Sequence, residues 1–142
     1  MKFLIDSSVW ISAMVKEEAW HVECTRLLDL PGAGIYAHAL SEVFCTLTGG
    51  RRGFRMQPGL VAELIQEDYL PYFETRSLDC GEVLSALHEC RIRGITGAAI
   101  YDYLHLVAAR HMRAAKLYTL NLSHFQVFWR AGDPEVLHPA DA

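Results

Sequence analysis

Short apolar runs that alternate with amphipathic helical stretches predict an α/β domain, with about five short strands in one parallel sheet flanked by helices. Three observations carry this reading. Phe3-Leu4-Ile5 is apolar without alternation, as in a strand buried on both faces. The later strand-like runs are separated by stretches whose apolar residues recur at helical spacing. The 142 residues, 51% hydrophobic and 21% charged, suit one domain with a real core.

After the first strand, Ser7 or Ser8 can cap a short helix through Val9, Trp10 and Ile11 to about Met14. A second helix spans Glu17 to Leu30, with Val22, Leu27, Leu28 and Leu30 as its apolar face, and Pro31-Gly32 stops it. Gly34-Ile35-Tyr36-Ala37 is a second strand. From Ala39, the spacing of Leu40, Val43, Phe44 and Leu47 predicts a third helix ending at Gly49-Gly50. Arg51-Arg52-Gly53-Phe54-Arg55 reads as an exposed basic loop. Pro58 opens a fourth helix that reaches about Tyr69.

Tyr72 to Thr75 is a third strand. A fifth helix from about Asp79 carries Val83, Leu84, Leu87 and Cys90, and Gly94 closes it. The sixth spans Ala98 to Met112, with Ile100, Leu104, Val107 and Ala108 at core spacing. Lys116 to Thr119 is a fourth strand, and Phe125 to Trp129 reads as a last, strand-like segment. The domain is expected to occupy residues 1–130. Residues 131–142, with Gly132, Pro134 and Pro139, read as a loose tail.

Composition narrows the function classes. The net charge of −4 gives no support for a nucleic-acid partner. It suits a carboxylate cluster that holds a metal, or a basic partner. Cys24, Cys45, Cys80 and Cys90 form no Cys-x-x-Cys pair and are expected as reduced, mostly buried thiols. The seven histidines form no His-Glu-x-x-His pattern. No apolar run approaches the roughly 18 residues that span a membrane, and the run after Met1 is too short for a signal peptide. The expectation is a soluble, cytoplasmic protein without a membrane partner.

Four polar residues fall at equivalent places. Asp6 follows the first strand, Glu42 lies in the first turn of the helix after the second, Asp102 opens the helix before the fourth, and Asn121 follows the fourth. In a doubly wound sheet these positions share the carboxyl-end rim, where ligands and chemistry gather. Three carboxylates in an apolar shell raise one another's pKa, and a divalent cation removes that conflict. Oxygen-only donors favour Mg²⁺ or Mn²⁺ over zinc. Taken singly, each residue also has an ordinary use as a helix cap, a charge at a helix start or a turn residue.

The segments Phe3-Leu4-Ile5-Asp6-Ser7-Ser8, Leu40-Ser41-Glu42-Val43, Tyr101-Asp102-Tyr103-Leu104 through Ala109, and Leu117-Tyr118-Thr119-Leu120-Asn121 with Phe125 resemble the PIN-domain family, and within it the VapC-type toxin ribonucleases. The match follows the family's order and spacing over nearly the whole chain. The resemblance implies a PIN-like α/β/α fold, a metal-dependent endoribonuclease site, a homodimer, and a cognate antitoxin. It also implies that Asp6, Glu42 and Asp102 match the family's acidic triad, Ser8 a hydroxyl that supports the first Asp, and Thr119 a hydroxyl before the fourth site. Asn121 departs from the Asp common there. It keeps a carbonyl oxygen but loses a charge, which weakens affinity for a second ion more than for a first.

The activity implied is Mg²⁺-dependent hydrolysis of an RNA phosphodiester in tRNA, rRNA or mRNA. Arg51, Arg52 and Arg55 form the best local patch for RNA phosphates, or else a solvated loop. His105, one turn after Asp102, can reach the rim but is read as non-catalytic. Arg91 and Arg93 end a helix, where positive charge is favoured anyway. Trp10, Trp20, Phe54 and Trp129 are either core residues or exposed aromatics for a dimer or antitoxin. Competing readings are an RNA-processing PIN nuclease without an antitoxin and a catalytically weak RNA-binding or assembly module. A phosphatase with Asp6 as nucleophile fits less well, because Ser8 stands where such enzymes carry a second Asp.

Overall fold

A computed structural model describes residues Met1–Ala142. In chain order the elements are β1 (Phe3–Ile5), α1 (Ser7–Met14), α2 (His21–Leu28), β2 (Ala33–Tyr36), α3 (Ala39–Gly49) and α4 (Pro58–Leu64). They continue with β3 (Glu74–Arg76), α5 (Cys80–Arg93), α6 (Ala99–His111), β4 (Lys116–Tyr118), α7 (Leu122–Gln126) and β5 (Glu135–Leu137). All strand pairs are parallel, and the sheet order is β3-β2-β1-β4-β5. β1 is therefore central and flanked on both sides, as its continuous apolar run requires.

The pleat of β1 sends Phe3 and Ile5 to one face and Leu4 to the other. Phe3 and Ile5 join an apolar core with α1 to α4, centred on Trp10, Leu27, Ile35 and Leu47. Leu4 joins a second core with α5, α6 and α7, centred on Leu106, Leu117, Phe125 and Phe128. The result is the expected α/β/α layering around a five-stranded parallel sheet.

Order 3-2-1-4-5 has one topological switch, between β1 and β4, because the chain leaves β1 for β2 and β3 before returning to β4 on its other side. Ligand crevices in open α/β sheets form outside the carboxyl ends of the strands at such a switch. The residues just past β1 and β4 here are Asp6 and Thr119.

Several local expectations are corrected. Asp6 caps α1, accepting from the Val9 N–H, whereas Ser7 and Ser8 lie inside the helix. The second helix is only His21–Leu28, because residues 15–20 form turns. The fourth helix ends as α-helix at Leu64 and widens into a π turn over Ile65–Tyr69. Pro71 explains the widening: it has no N–H to donate, and its ring would crowd the carbonyl of Glu67 in a continuing α-helix. The third strand starts two residues late, and Tyr72, 76% exposed, lies in a 3₁₀ turn before it.

The C-terminal expectations fail most clearly. Phe125 to Trp129 is not a strand: α7 and the turn after it occupy that stretch. Leu122, Phe125, Phe128 and Trp129 are spaced by three and four, a helical and not an alternating pattern, and Phe125 and Phe128 are fully buried. The fifth strand lies in the supposed tail, where Glu135–Leu137 pairs with β4. That segment is anchored by the ion pair of Arg93 with Asp133 and by the Trp129 indole N–H donating to the Pro134 carbonyl at 2.9 Å. Arg93 also lies over the Tyr103 ring, so it has a packing role beyond favouring a helix end.

Two further expectations hold only in part. Cys24 and Cys90 are buried, but Cys45 and Cys80 are exposed, so the free thiols are not mostly buried. Trp10 is fully buried against Tyr69 and Phe73, Phe54 is half-buried, and Trp20 and Trp129 are exposed. No helix is long and apolar enough to cross a membrane.

Candidate active site

Asp6 is the most constrained polar residue of the rim. It is buried, and both its oxygens are held. Oδ1 accepts from the Ser8 hydroxyl at 2.6 Å and from the Val9 N–H at 3.3 Å. Oδ2 accepts from the Thr119 hydroxyl at 2.6 Å, across the switch between β1 and β4. The hydroxyls are held in turn: Ser8 Oγ accepts from the Leu120 N–H and Thr119 Oγ1 from the Asn121 N–H, both at 3.0 Å. A carboxylate offers about four lone-pair positions. Three are filled, and the one left is on Oδ2.

Asp102, in the first turn of α6, shares this rim. Its carboxyl sits above its ordinary value, first because burial disfavours the charge and then because Asp6 repels it. The His105 charge partly offsets this, as does His124 on α7, which donates from Nδ1 to Asp102 Oδ2 at 3.2 Å. A pair of acids that raise each other's energy is the arrangement a cation relieves.

Glu42, on α3, is turned toward a different partner. Its Oε1 accepts from His105 Nε2 at 2.8 Å. Burial pushes the Glu42 carboxyl up, but the His105 bond and charge, the nearby His38 charge and the Ser7 hydroxyl hold it below the usual value. His105 is fully buried, which opposes its charge, yet the Glu42 bond and the charges of Glu42, Asp6 and Asp102 raise its pKa. Its Nδ1 has no hydrogen-bond partner. His105 thus reaches the rim as its spacing from Asp102 suggested, and it does so by anchoring Glu42.

Asn121 is exposed, and its side chain does not cap α7. It lines a recess of about 250 Å³ with Ser8, Glu18, Trp20 and Arg52. Arg52 is bonded to Glu18 and lies over the Phe54 ring, so it is the least free of the three basic-loop arginines. Arg51 and Arg55 are exposed, and the guanidinium of Arg55 packs over Gly50. A larger cavity of about 560 Å³, between Leu28, Pro31, Tyr69 and Phe73, is lined by none of the rim residues. Size alone does not locate the chemistry.

No three His, Cys, Asp or Glu side chains converge closely enough to hold an ion by themselves. The donors available to a cation are Asp6 Oδ2, Asp102 and, beyond its His105 bond, Glu42. Sequence reasoning gave no role to His38 or His124, although both face the acids. Single histidines in a loop and on a short helix carry no spacing signal.

The order of the sheet, its switch at Asp6 and the helices on both faces define a PIN-like α/β/α fold. Solved structures share it. Mycobacterium tuberculosis VapC20, described as a sarcin-ricin loop cleaving toxin, superimposes with a TM-score of 0.70 at 14% identity, covering 94% of this chain and 100% of that one. FitAcB from Neisseria gonorrhoeae gives 0.69 at 16% identity, covering 99% of each chain. A toxin–antitoxin complex from Klebsiella pneumoniae gives 0.62 at 19% identity, covering 97% of this chain and 98% of that one. No protein-family model and no curated protein sequence matches the chain. At these identities the likeness is one of fold.

Proposed function

We propose that this protein is a Mg²⁺-dependent endoribonuclease, the toxin of a toxin–antitoxin pair, with Asp6, Asp102 and Glu42 at its centre. The observation that supports this best is the state of Asp6. A buried carboxylate is fixed by two hydroxyls at the switch point, with one lone pair left on Oδ2 and a second acid, Asp102, close enough to repel it. A purely structural cap needs only the Val9 contact.

The donor chemistry fits a hard cation. Mg²⁺ is commonly held by one or two carboxylates and keeps several waters, so a pair of acids without a three-residue cage is an adequate site. Asp6 and Asp102 would hold it, Glu42 would contact it directly or through water, and the Asn121 carbonyl would contribute at the margin. Mn²⁺ is expected to substitute. When bound, the ion neutralises charge on the phosphoryl oxygens and lowers the pKa of the attacking water.

The protein's own groups do the remaining work. Ser8 and Thr119 keep Asp6 in one orientation before substrate arrives. His105 keeps Glu42 ionised at the rim. Arg51 and Arg55 attract RNA phosphates, with Arg52 held partly in reserve by Glu18. In hydrolysis the water oxygen joins phosphorus as one ester P–O bond breaks, and the departing oxygen takes a proton.

The toxin half of the reading draws on the fold shared with solved toxins, and brings with it an antitoxin partner, a homodimer and cytoplasmic action on tRNA, rRNA or mRNA. The neutral, exposed Asn121 favours one competing reading, a catalytically weak RNA-binding module. Incubating the purified chain with total RNA under Mg²⁺, Mn²⁺ or EDTA separates the two. The nuclease cleaves with either metal and not in EDTA, whereas the module leaves RNA intact in all three. Growth arrest on induction, relieved by Asp6→Asn, is the expected mark of a toxin.

A further inference from the structure

Two aromatic rings stand beside the acidic rim, outside both apolar cores. His38 is the residue before α3, four positions ahead of Glu42, and Tyr101 immediately precedes Asp102. Their ring centres are 6.1 Å apart and their planes differ by 14°. Tyr101 is 54% exposed, His38 is exposed, and neither belongs to an apolar core. Behind them the aromatic series continues inward. Tyr36 lies 6.0 Å from His38 and meets His105 edge-on at 5.5 Å, and His105 anchors Glu42. The exposed pair is thus mounted on the buried groups that position an acid of the site.

Near-parallel exposed aromatic faces beside a phosphodiester-cleaving rim match the chemistry of an unstacked nucleobase. Single-stranded RNA is recognised largely by stacking of splayed bases on aromatic side chains. A base held between two rings needs ring centres roughly 7 Å apart, twice a contact distance of about 3.5 Å. The present 6.1 Å separation is that of an offset-stacked pair, so a base enters by parting the rings, and Tyr101, 54% exposed, has solvent to move into.

We propose that Tyr101 and His38 form a stacking clamp for one nucleobase of single-stranded RNA next to the scissile phosphate. The proposal rests on the reading of the rim as a ribonuclease site. The clamp positions substrate and contributes a preference for unpaired RNA over duplex.

The test is binding of a short unstructured RNA to the full chain carrying Asp6→Asn, which keeps the RNA intact, followed by fluorescence anisotropy. A series of RNAs with one abasic position walked along the strand is compared with the parent. The clamp predicts one position at which base removal weakens binding roughly tenfold, the order of a single base–aromatic stack. Adding Tyr101→Ala weakens the parent RNA by a similar factor and makes that abasic position neutral, His38→Ala does so in part, and Tyr101→Phe binds like the parent protein. Both residues are exposed, so the variants should fold, and circular dichroism verifies it. Absence of any sensitive position, absence of binding, or Tyr101→Ala binding as tightly as the parent overturns the clamp. Wild-type cleavage of RNA with Mg²⁺ alongside a flat abasic series defeats the clamp alone. Failure of wild type to cleave with any divalent metal defeats the nuclease reading beneath it.

Discussion

Thr119, just past β4, donates its hydroxyl to Oδ2 of Asp6, just past β1, at 2.6 Å across 113 residues of sequence. The bond spans the one place where the strand order reverses, so it ties the fold's topology to the orientation of its most buried acid. Thr119→Val keeps the shape but removes this donor and the acceptor for the Asn121 N–H. The expected cost is roughly 1–3 kcal/mol in urea unfolding. Cleavage should fall by about 10- to 100-fold, as when groups that orient metal ligands are lost. Thr119→Ser should retain most of both.

The Glu42–His105 pair sets a pH window for the metal-free protein. The lowered Glu42 adds stability above its ordinary 4.5, lost as pH falls through its folded value. The raised His105 adds stability below its ordinary 6.5, lost as pH rises through its folded value. Both contributions are complete between pH 4.5 and 6.5. Denaturation in EDTA should therefore show the largest gap between wild type and His105→Gln in that interval, narrowing on either side. A gap independent of pH would mean that the pair is not ionised as described.

Asp102 should behave as a group kept for activity at the expense of the fold. Its raised pKa means that the ionised form destabilises the native state from the ordinary value of 3.8 upward. Asp102→Asn removes the repulsion with Asp6, so its melting temperature in EDTA at neutral pH should exceed that of wild type. Mg²⁺ should raise the melting temperature of wild type and leave that of the variant unchanged. Thermal scans with and without Mg²⁺ measure both effects.

Much of this arrangement was legible in the sequence. The uninterrupted apolar run of β1 placed Asp6 at a buried strand end. The helix starts placed Glu42 and Asp102, and the family resemblance marked Ser8 as a support for Asp6, whereas it gave Thr119 only as a hydroxyl before the fourth site and not as a partner of Asp6. What was not legible depends on contacts distant in sequence. Glu42 is engaged by His105 across 63 residues of sequence, and no local pattern encodes that contact. β5 went unread because Glu135–Leu137 is a half-exposed edge strand with little apolar pattern, beside Gly132 and Pro134. The π turn at Ile65–Tyr69 depended on Pro71, which lies beyond the helical periodicity that was read.

The tail that reads as loose is instead expected to be stabilising. The side chains of Arg93 and Asp133 are 14% and 4% exposed, so removing one partner strands a buried charge. Asp133→Ala should cost roughly 3–5 kcal/mol. Charge alone does not rescue the site, so Asp133→Glu should recover only part of the loss, as measured by the urea midpoint. A midpoint unchanged in Asp133→Ala would mean that the Arg93–Asp133 pair does not anchor this segment.

The central claim is that Asp6 holds a cation that makes the rim a ribonuclease. The most direct measurement is the rate of RNA cleavage by purified wild type and Asp6→Asn across a Mg²⁺ titration, with an EDTA control. The account predicts metal-dependent cleavage by wild type, none in EDTA, and none by Asp6→Asn at any Mg²⁺ concentration. Equal cleavage by the two proteins, or cleavage that persists in EDTA, would contradict it.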